Sequence, residues 1–147
     1  MLEIKIYLSH FATPITKGQR LVYTSLDEIL AGQAVPVVSP TRYVYGKVLI
    51  KNYGSVFIDA PCEIENFITY IQDAKAAIFS GSLHRIDNSY FKLDFHYRRK
   101  LFITCGIKTI SVSKPEFISV FRQAAEKYYQ CMLALRRDAS YYQQLAQ

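Results

Sequence analysis

Two segments of this chain share one local pattern, and this repeat limits the possible folds more than any other feature of the sequence does. Residues 54–68 read GSVFIDAPCEIENFI and residues 108–121 read KTISVSKPEFISVF, so each has a β-rich run, a proline and a helix-like run that opens with glutamate. Ser113 and Glu116 have capping-box spacing, and proline is favoured in the first turn of a helix. The repeat predicts a chain built twice from strands followed by one helix.

Alternation of apolar and polar residues predicts the strands. Residues 2–11 (LEIKIYLSHF) and 91–97 (FKLDFHY) alternate with a period of two, which is typical of half-buried strands. Residues 43–61 form two β-rich runs around a turn at residues 52–55, which indicates a hairpin. Shorter runs at residues 20–24, 82–86, 101–104 and 107–113 bring the count to about eight strands.

Helical spacing of apolar residues marks two longer helices, over residues 62–79 and 113–137. Ser25 and Glu28 predict a short capped helix that ends near Gly32, and residues 13–19 and 33–42 are expected to be loops. Short hairpin turns make antiparallel sheets, and amphipathic helices must cover them. We therefore predict an α+β fold, with a mainly antiparallel sheet of about eight strands and two amphipathic helices.

The same pattern predicts the domain organisation. Residues 1–147 form a single α+β domain with an internal pseudo-repeat, residues 1–80 and residues 81–147. The first copy has the order ββ-short α-ββα, and the second has the order ββββα.

Composition limits the kind of partner and compartment. Eighteen Lys and Arg against 12 Asp and Glu give a net charge of +6, which favours an acidic protein surface or a nucleic acid as partner. Cys62, Cys105 and Cys131 are too far apart for a zinc knuckle and odd in number, so we expect a reducing compartment. The sequence has no leader-like or membrane-spanning apolar stretch. A cytoplasmic protein without membrane association is predicted.

Catalytic signatures are missing from the sequence. It has no phosphate-binding loop, HExxH motif or GxSxG elbow, and its acidic residues form no obvious carboxylate pair. His84 and His96 are weighed as a metal site or an acid–base pair, but no third ligand has suitable spacing. Cys62, near a predicted helix N-terminus, is more simply explained as a buried thiol than as a nucleophile. We predict no cofactor, no metal and no enzymatic activity.

The densest basic feature is the predicted turn between two strands of the second copy. Arg98, Arg99 and Lys100 form this turn. A solvated hairpin tip whose charges only prevent edge pairing would give the same pattern. If the turn binds a partner, the predicted binding residues are Tyr90, Lys92, His96, Tyr97, Arg98, Arg99 and Lys100.

Two resemblances suggest partners of different classes. The order of strands and helices resembles the repeated four-strands-plus-helix layout of the Whirly and PUR single-strand-binding folds, which implies phosphates on the basic turn and bases stacked on aromatic rings. The small, motif-poor α+β chain with a polar, Tyr-rich face is similar in character to immunity proteins of bacterial toxin-immunity systems. That likeness implies a protein that binds and neutralises a cognate, acidic toxin domain.

The immunity-type function is preferred on the residues themselves. Phe91, Leu93 and Phe95 have the periodicity of a core face rather than of a stacking platform, and a net charge of +6 is modest for a nucleic-acid binder. Single-stranded nucleic acid remains the alternative partner.

Overall fold

The computed structural model describes residues 1–11, 21–32 and 44–135. The strands are β1 (Leu2–Phe11), β2 (Leu21–Ser25), β3 (Tyr45–Asn52), β4 (Ser55–Glu63), β5 (His84–Asp87), β6 (Lys92–Arg98), β7 (Lys100–Cys105) and β8 (Lys108–Val112). The helices are α1 (Leu26–Leu30), α2 (Ile64–Ile78) and α3 (Lys114–Ala134). The loops predicted at residues 13–19 and 33–42, and any continuation of α3 beyond residue 135, lie outside the described residues.

The strands form two antiparallel sheets of four strands, in the orders β2-β1-β3-β4 and β5-β6-β7-β8. The predicted α+β class and antiparallel pairing are confirmed, but the prediction of one sheet of about eight strands is wrong. Helix α2 has 15 residues and spans about 22 Å, so it carries the chain away from the first sheet before β5 begins. The described residues form three helices, so the count of two amphipathic helices is not exact; the third is α1, the short helix predicted from Ser25 and Glu28.

Helices α2 and α3 run antiparallel to each other. The hydroxyl of Tyr128, late in α3, donates to Oε1 of Glu65 in the first turn of α2 at 3.4 Å. Towards the start of α3, Phe117 packs edge-on against Phe79, which directly follows α2, with 6.0 Å between ring centroids. The N-terminal half of each helix therefore lies beside the C-terminal half of the other.

The helix pair contacts the apolar faces of both sheets. Helix α3 contacts β1 and β7, and α2 contacts β3, β4 and β6. Phe95 of β6 and Phe67 of α2 belong to one buried cluster that includes residues of both sheets. Because alternate strand residues point to opposite faces, the other face of each sheet is directed outwards.

The starts of the two longer helices are tied to the strands by carboxylates. Glu63 caps α2 by accepting the N–H of Asn66 at 2.7 Å, and its other oxygen accepts the N–H of Val44 at 2.9 Å. Ser113 accepts the N–H of Glu116 as predicted, but the Glu116 carboxylate instead accepts the N–H of Leu2 at 2.6 Å. Glu116 thus joins α3 to β1 instead of completing a capping box.

A close approach of β1 and β3 at Gly46 gives a test of the first sheet. Gly46 faces Leu8 across the two strands, and a Cβ at this position would overlap the carbonyl oxygen of Tyr7. We expect Gly46→Ala to lower the free energy of unfolding by about 3 kcal/mol, because backbone atoms cannot move aside as a side chain can. Urea denaturation measures this change.

The neighbouring variant Tyr45→Ala is the control, since that side chain is exposed. We expect it to change the free energy of unfolding by less than about 1 kcal/mol. Equal effects of the two substitutions would contradict the close approach of β1 and β3.

Candidate interaction site

The outward face of the second sheet carries several of the predicted binding residues. Strand β6 buries alternate residues, and the residues between them, Lys92, His96 and Arg98, lie on the outward face. Across the β6–β7 pair, Lys100 is opposite Arg98 and Phe102 is opposite His96. The structure therefore brings Lys92, His96, Arg98 and Lys100 onto one surface.

The part of this face that lies away from the β6–β7 turn is neutralised within the protein. Arg85 donates to both carboxylate oxygens of Asp94, at 2.6 and 3.2 Å, and these hydrogen bonds hold the pKa of Asp94 below its ordinary value. Lys92 lies 3.8 Å from the carboxylate of Asp87. The cations of this region already have carboxylate partners, and such exposed pairs contribute little to stability.

The three basic residues at the end of the β6–β7 hairpin have no such partners. Arg98, Arg99 and Lys100 are all exposed, and none of them forms an ion pair with another residue in the described parts of the chain. The turn is tighter than the sequence predicts. Arg98 and Lys100 are opposite each other in the register of β6 and β7, so only Arg99 lies outside the strands. Arg99 has a φ of 57°, a left-handed conformation that costs a non-glycine residue about 1 kcal/mol.

Two predicted residues lie away from this face. Tyr97 points to the inner face, where its ring packs edge-on against Phe79 at 5.3 Å and lies 5.8 Å from the ammonium of Lys114. Tyr97 is two positions after the buried Phe95 in β6, so the alternation of the strand already indicates this direction. Tyr90 lies in the connection between β5 and β6, where it lines a separate groove. Neither tyrosine joins the outward face of the second sheet.

A second hairpin tip, which the sequence analysis did not single out, resembles the basic one. In the β3–β4 turn, Tyr53 has a φ of 51° and Gly54 a φ of 79°, and a type I′ turn needs positive φ at both central residues. Tyr53 is 84% exposed. Among the described residues, Tyr53 and Arg99 are the non-glycine residues with positive φ. A signal was present in the sequence, since tyrosine stands where such turns favour asparagine.

Contacts of the residues next to each tip lead to the first turn of α3. The ammonium of Lys114 is near the ring of Tyr97, which directly precedes the basic tip. The carboxylate of Glu116 accepts the N–H of Leu2. The carbonyl of Met1, the residue before Leu2, accepts the N–H of Tyr53 at 3.1 Å. We call the surface formed by Tyr53, residues 98–100 and the first turn of α3 the hairpin end.

A groove adjoins the hairpin end. It has a volume of about 720 Å³ and extends from Met1 and Tyr53, between the start of β1 and α3, as far as Lys127. Its walls mix acidic residues such as Glu3 with basic residues such as Lys5. The hairpin end therefore combines projecting tips with a concave surface, a shape suited to a protein partner.

The buried thiols are poor nucleophiles. Burial, with the nearby charge of Glu63, raises the pKa of Cys62 to about 12. Burial and the charge of Asp27 raise the pKa of Cys131 to about 12 as well, and its Sγ donates to the carbonyl of Leu26 at 3.5 Å. At neutral pH both groups remain protonated, whereas nucleophilic attack requires a thiolate.

The two histidines weighed as a catalytic pair are not brought together. His84 is opposite Phe95 in the β5–β6 pair and so lies on the inner face, whereas His96 lies on the outward face. Within residues 1–11, 21–32 and 44–135, no group of three or more His, Cys, Asp and Glu residues could hold a metal ion. No helix in those ranges is long and apolar enough to cross a membrane.

The outward face of the first sheet holds a cluster of tyrosines and lysines that sequence analysis did not assemble. The ammonium of Lys47 lies 4.7 Å from the ring centroid of Tyr7 and 5.2 Å from that of Tyr23. Lys5 lies 5.6 Å from the ring of Tyr7. Alternation in β1 places Lys5 and Tyr7 on one face, but only the pairing of three strands adds Lys47 and Tyr23.

The β3–β4 tip gives a stability test that is independent of any partner. We expect Tyr53→Asn to raise the free energy of unfolding by about 0.5 to 1 kcal/mol, because asparagine tolerates positive φ better than tyrosine does. Thermal and urea denaturation would measure the gain.

Tyr53→Ala is the matched control, because alanine also removes the ring but keeps the penalty for positive φ, so we expect no gain in stability. A loss of stability in the asparagine variant would contradict the left-handed conformation at Tyr53.

Comparisons with protein-family models, with curated protein sequences and with solved structures each gave no match.

Proposed function

We propose that this protein is a non-enzymatic binding protein of the immunity type, which uses its hairpin end to bind and block an acidic surface of a cognate toxin domain. The observation that carries the proposal is the difference between paired and unpaired cations. Arg85 and Lys92 have carboxylate partners within the protein, whereas Arg98, Arg99 and Lys100 at the tip have none among the described residues.

The residue types at the two tips support a protein interface. Tyrosine and arginine are enriched among the interface residues that contribute most of the binding energy. The residues at the two tips, Tyr53 and Arg99, are of these types. Both have a left-handed backbone conformation that costs stability. A partner that needs these two side chains at the tips would explain why less strained residues do not stand there.

The charge pattern supports an acidic partner with a defined shape. Three adjacent cations on a tight hairpin present a small, strongly positive projection, which would speed association with an acidic cleft. The mixed charges along the neighbouring groove would favour one orientation of the partner. A toxin domain whose active-site cleft carries carboxylates has these properties.

The first experiment tests the charges of the tip. We expect a toxin-like gene next to the gene for this protein, and we expect its acidic product to form a stable complex with the purified protein. Replacing Arg98, Arg99 and Lys100 together by glutamine should weaken that complex at least about 100-fold, because each close interfacial charge pair contributes roughly 1.5 kcal/mol or more. Calorimetry or surface plasmon resonance measures the dissociation constant.

The matched control replaces the exposed cations Lys108 and Arg122 by glutamine, since both lie outside the hairpin end. We expect the control to leave the dissociation constant within about threefold of that of the unmodified protein. A gene neighbourhood without a toxin-like gene, or equal weakening by both sets of substitutions, would overturn the proposal.

Binding of single-stranded nucleic acid is the second candidate function. The observation in its favour is the cluster of Lys5, Tyr7, Tyr23 and Lys47 on the outward face of the first sheet. Cations and aromatic rings on an open sheet are what single-strand binders use. Against it, Lys47 already lies near both rings and 3.5 Å from the carboxylate of Asp59, so a base would have to displace it.

The second experiment measures retention of a labelled single-stranded oligonucleotide at several salt concentrations. If this function is correct, affinity should fall steeply with salt, and Tyr7→Ala should weaken binding about fivefold or more through lost stacking. Tyr53→Ala should have no effect, because Tyr53 lies six residues after Lys47 along β3 and its turn, about 20 Å away in extended chain. A protein that does not retain the oligonucleotide at low salt lacks this function.

A further inference from the structure

A second groove lies at the opposite end of the helix pair, beside the start of α2. It has a volume of about 700 Å³ and lies between α2 and the connection from β5 to β6. Three tyrosines stand on its walls and remain half-exposed, Tyr45 at 54%, Tyr70 at 48% and Tyr90 at 55%. The buried side chains of Phe67 and Ile86 also line it. The groove thus offers aromatic surface that the fold itself does not cover.

Local contacts hold the walls of this groove in place. Oδ1 of Asn88 accepts the N–H groups of Tyr90 and Phe91, at 2.8 and 3.0 Å, which fixes the connection that carries Tyr90. Phe91 then packs edge-on against Phe67 of α2, with 6.0 Å between ring centroids. A ligand would therefore meet a groove that is already formed, and binding would need little ordering of the walls.

The charges around the groove are mainly negative. Glu63, Asp73 and Asp87 contribute carboxylates to the lining. Arg85 is the one Lys or Arg among the described lining residues, and its guanidinium is already bonded to Asp94. These three carboxylates differ in how many hydrogen bonds or ion pairs they already form within the protein.

Asp73 is the carboxylate most available to a ligand. Both oxygens of Glu63 accept backbone N–H groups, and Asp87 lies 3.8 Å from the ammonium of Lys92. Asp73 is exposed and forms no ion pair with the residues that the structure describes. It follows Tyr70 by three positions on α2, so the two side chains project on the same side of the helix.

We propose that this groove binds an arginine side chain of a basic segment in a protein partner. A guanidinium group stacks on aromatic rings and forms hydrogen bonds to carboxylates at the same time, so it fits walls that combine Tyr70, Tyr90 and Asp73. The polarity of this groove is opposite to that of the basic tip at the hairpin end. The proposal stands independently of the proposed immunity function, because it uses different residues and a ligand of opposite charge.

The net charge of the whole chain makes the inference testable. At +6 the protein repels basic peptides in general, so saturable binding of such a peptide must come from a local site. The probe is the peptide acetyl-Gly-Arg-Gly-Arg-Gly-amide, and its matched control has citrulline in place of each arginine. Citrulline keeps the shape of the arginine side chain but has no charge.

The experiment follows backbone amide resonances of the ¹⁵N-labelled protein during titration with each peptide. We expect the arginine peptide to shift the resonances of Tyr70, Asp73 and Tyr90 in a saturable manner, and the citrulline peptide to bind at least about fivefold more weakly. Tyr70→Ala and Asp73→Asn should each weaken binding of the arginine peptide by about threefold to tenfold.

Phe102→Ala and Asp59→Asn are the controls, because they remove an exposed ring and an exposed carboxylate outside the groove. They should leave the affinity unchanged. Because Asp73 is exposed, Asp73→Asn tests the charge even if Tyr70→Ala disturbs the packing of α2. The proposal is overturned if the arginine peptide gives no saturable shifts, if its shifts map outside the groove, or if the citrulline peptide binds equally well.

Discussion

The packing of α2 against α3 holds the two sheets together. Phe117 lies at the end of this contact nearer the hairpin end, where its ring packs against Phe79 after α2, Phe95 of β6 and Phe121 of α3. Each helix contacts strands of both sheets, so neither sheet has its apolar face covered by its own helix alone. If the two helices separated, both sheets would expose a hydrophobic face to water at the same time. This arrangement makes the two halves of the chain depend on each other for stability.

The same arrangement determines which surfaces can meet a partner. Because the helices occupy the inner faces, the outward sheet faces and the two ends of the helix pair remain accessible. The ends differ in chemistry. At the hairpin end, the cations of residues 98–100 and the exposed ring of Tyr53 stand on two hairpin tips, and residues next to each tip contact the first turn of α3. At the other end, tyrosines and carboxylates such as Asp73 line a groove beside α2. A protein with a net charge of +6 thus has surfaces of opposite polarity, and each suits a different part of a partner or a different partner.

Much of the secondary structure followed from short-range patterns. The period of two in β1 and β6 and the capping residues Ser25 and Ser113 placed strands and helix starts correctly, because they depend on neighbours within a few positions. The division into two sheets could not be predicted in this way, since pairing between strands distant in sequence leaves no local pattern. For the same reason Glu116 was assigned to a capping box although its carboxylate binds Leu2 at the far end of the chain.

Sequence patterns were enough to predict the α+β class, the antiparallel hairpins, the excess of positive charge and the exposed basic turn at residues 98–100, since each depends on composition or on local periodicity. Which residues share a surface became clear from the three-dimensional packing. It turned Tyr97 to the inner face, separated Tyr90 from the basic turn and bonded Tyr53 to the N-terminal residues that contact the start of α3. These outcomes depend on strand register and on the packing of α2 and α3 between the sheets, which involve residues that are distant along the chain.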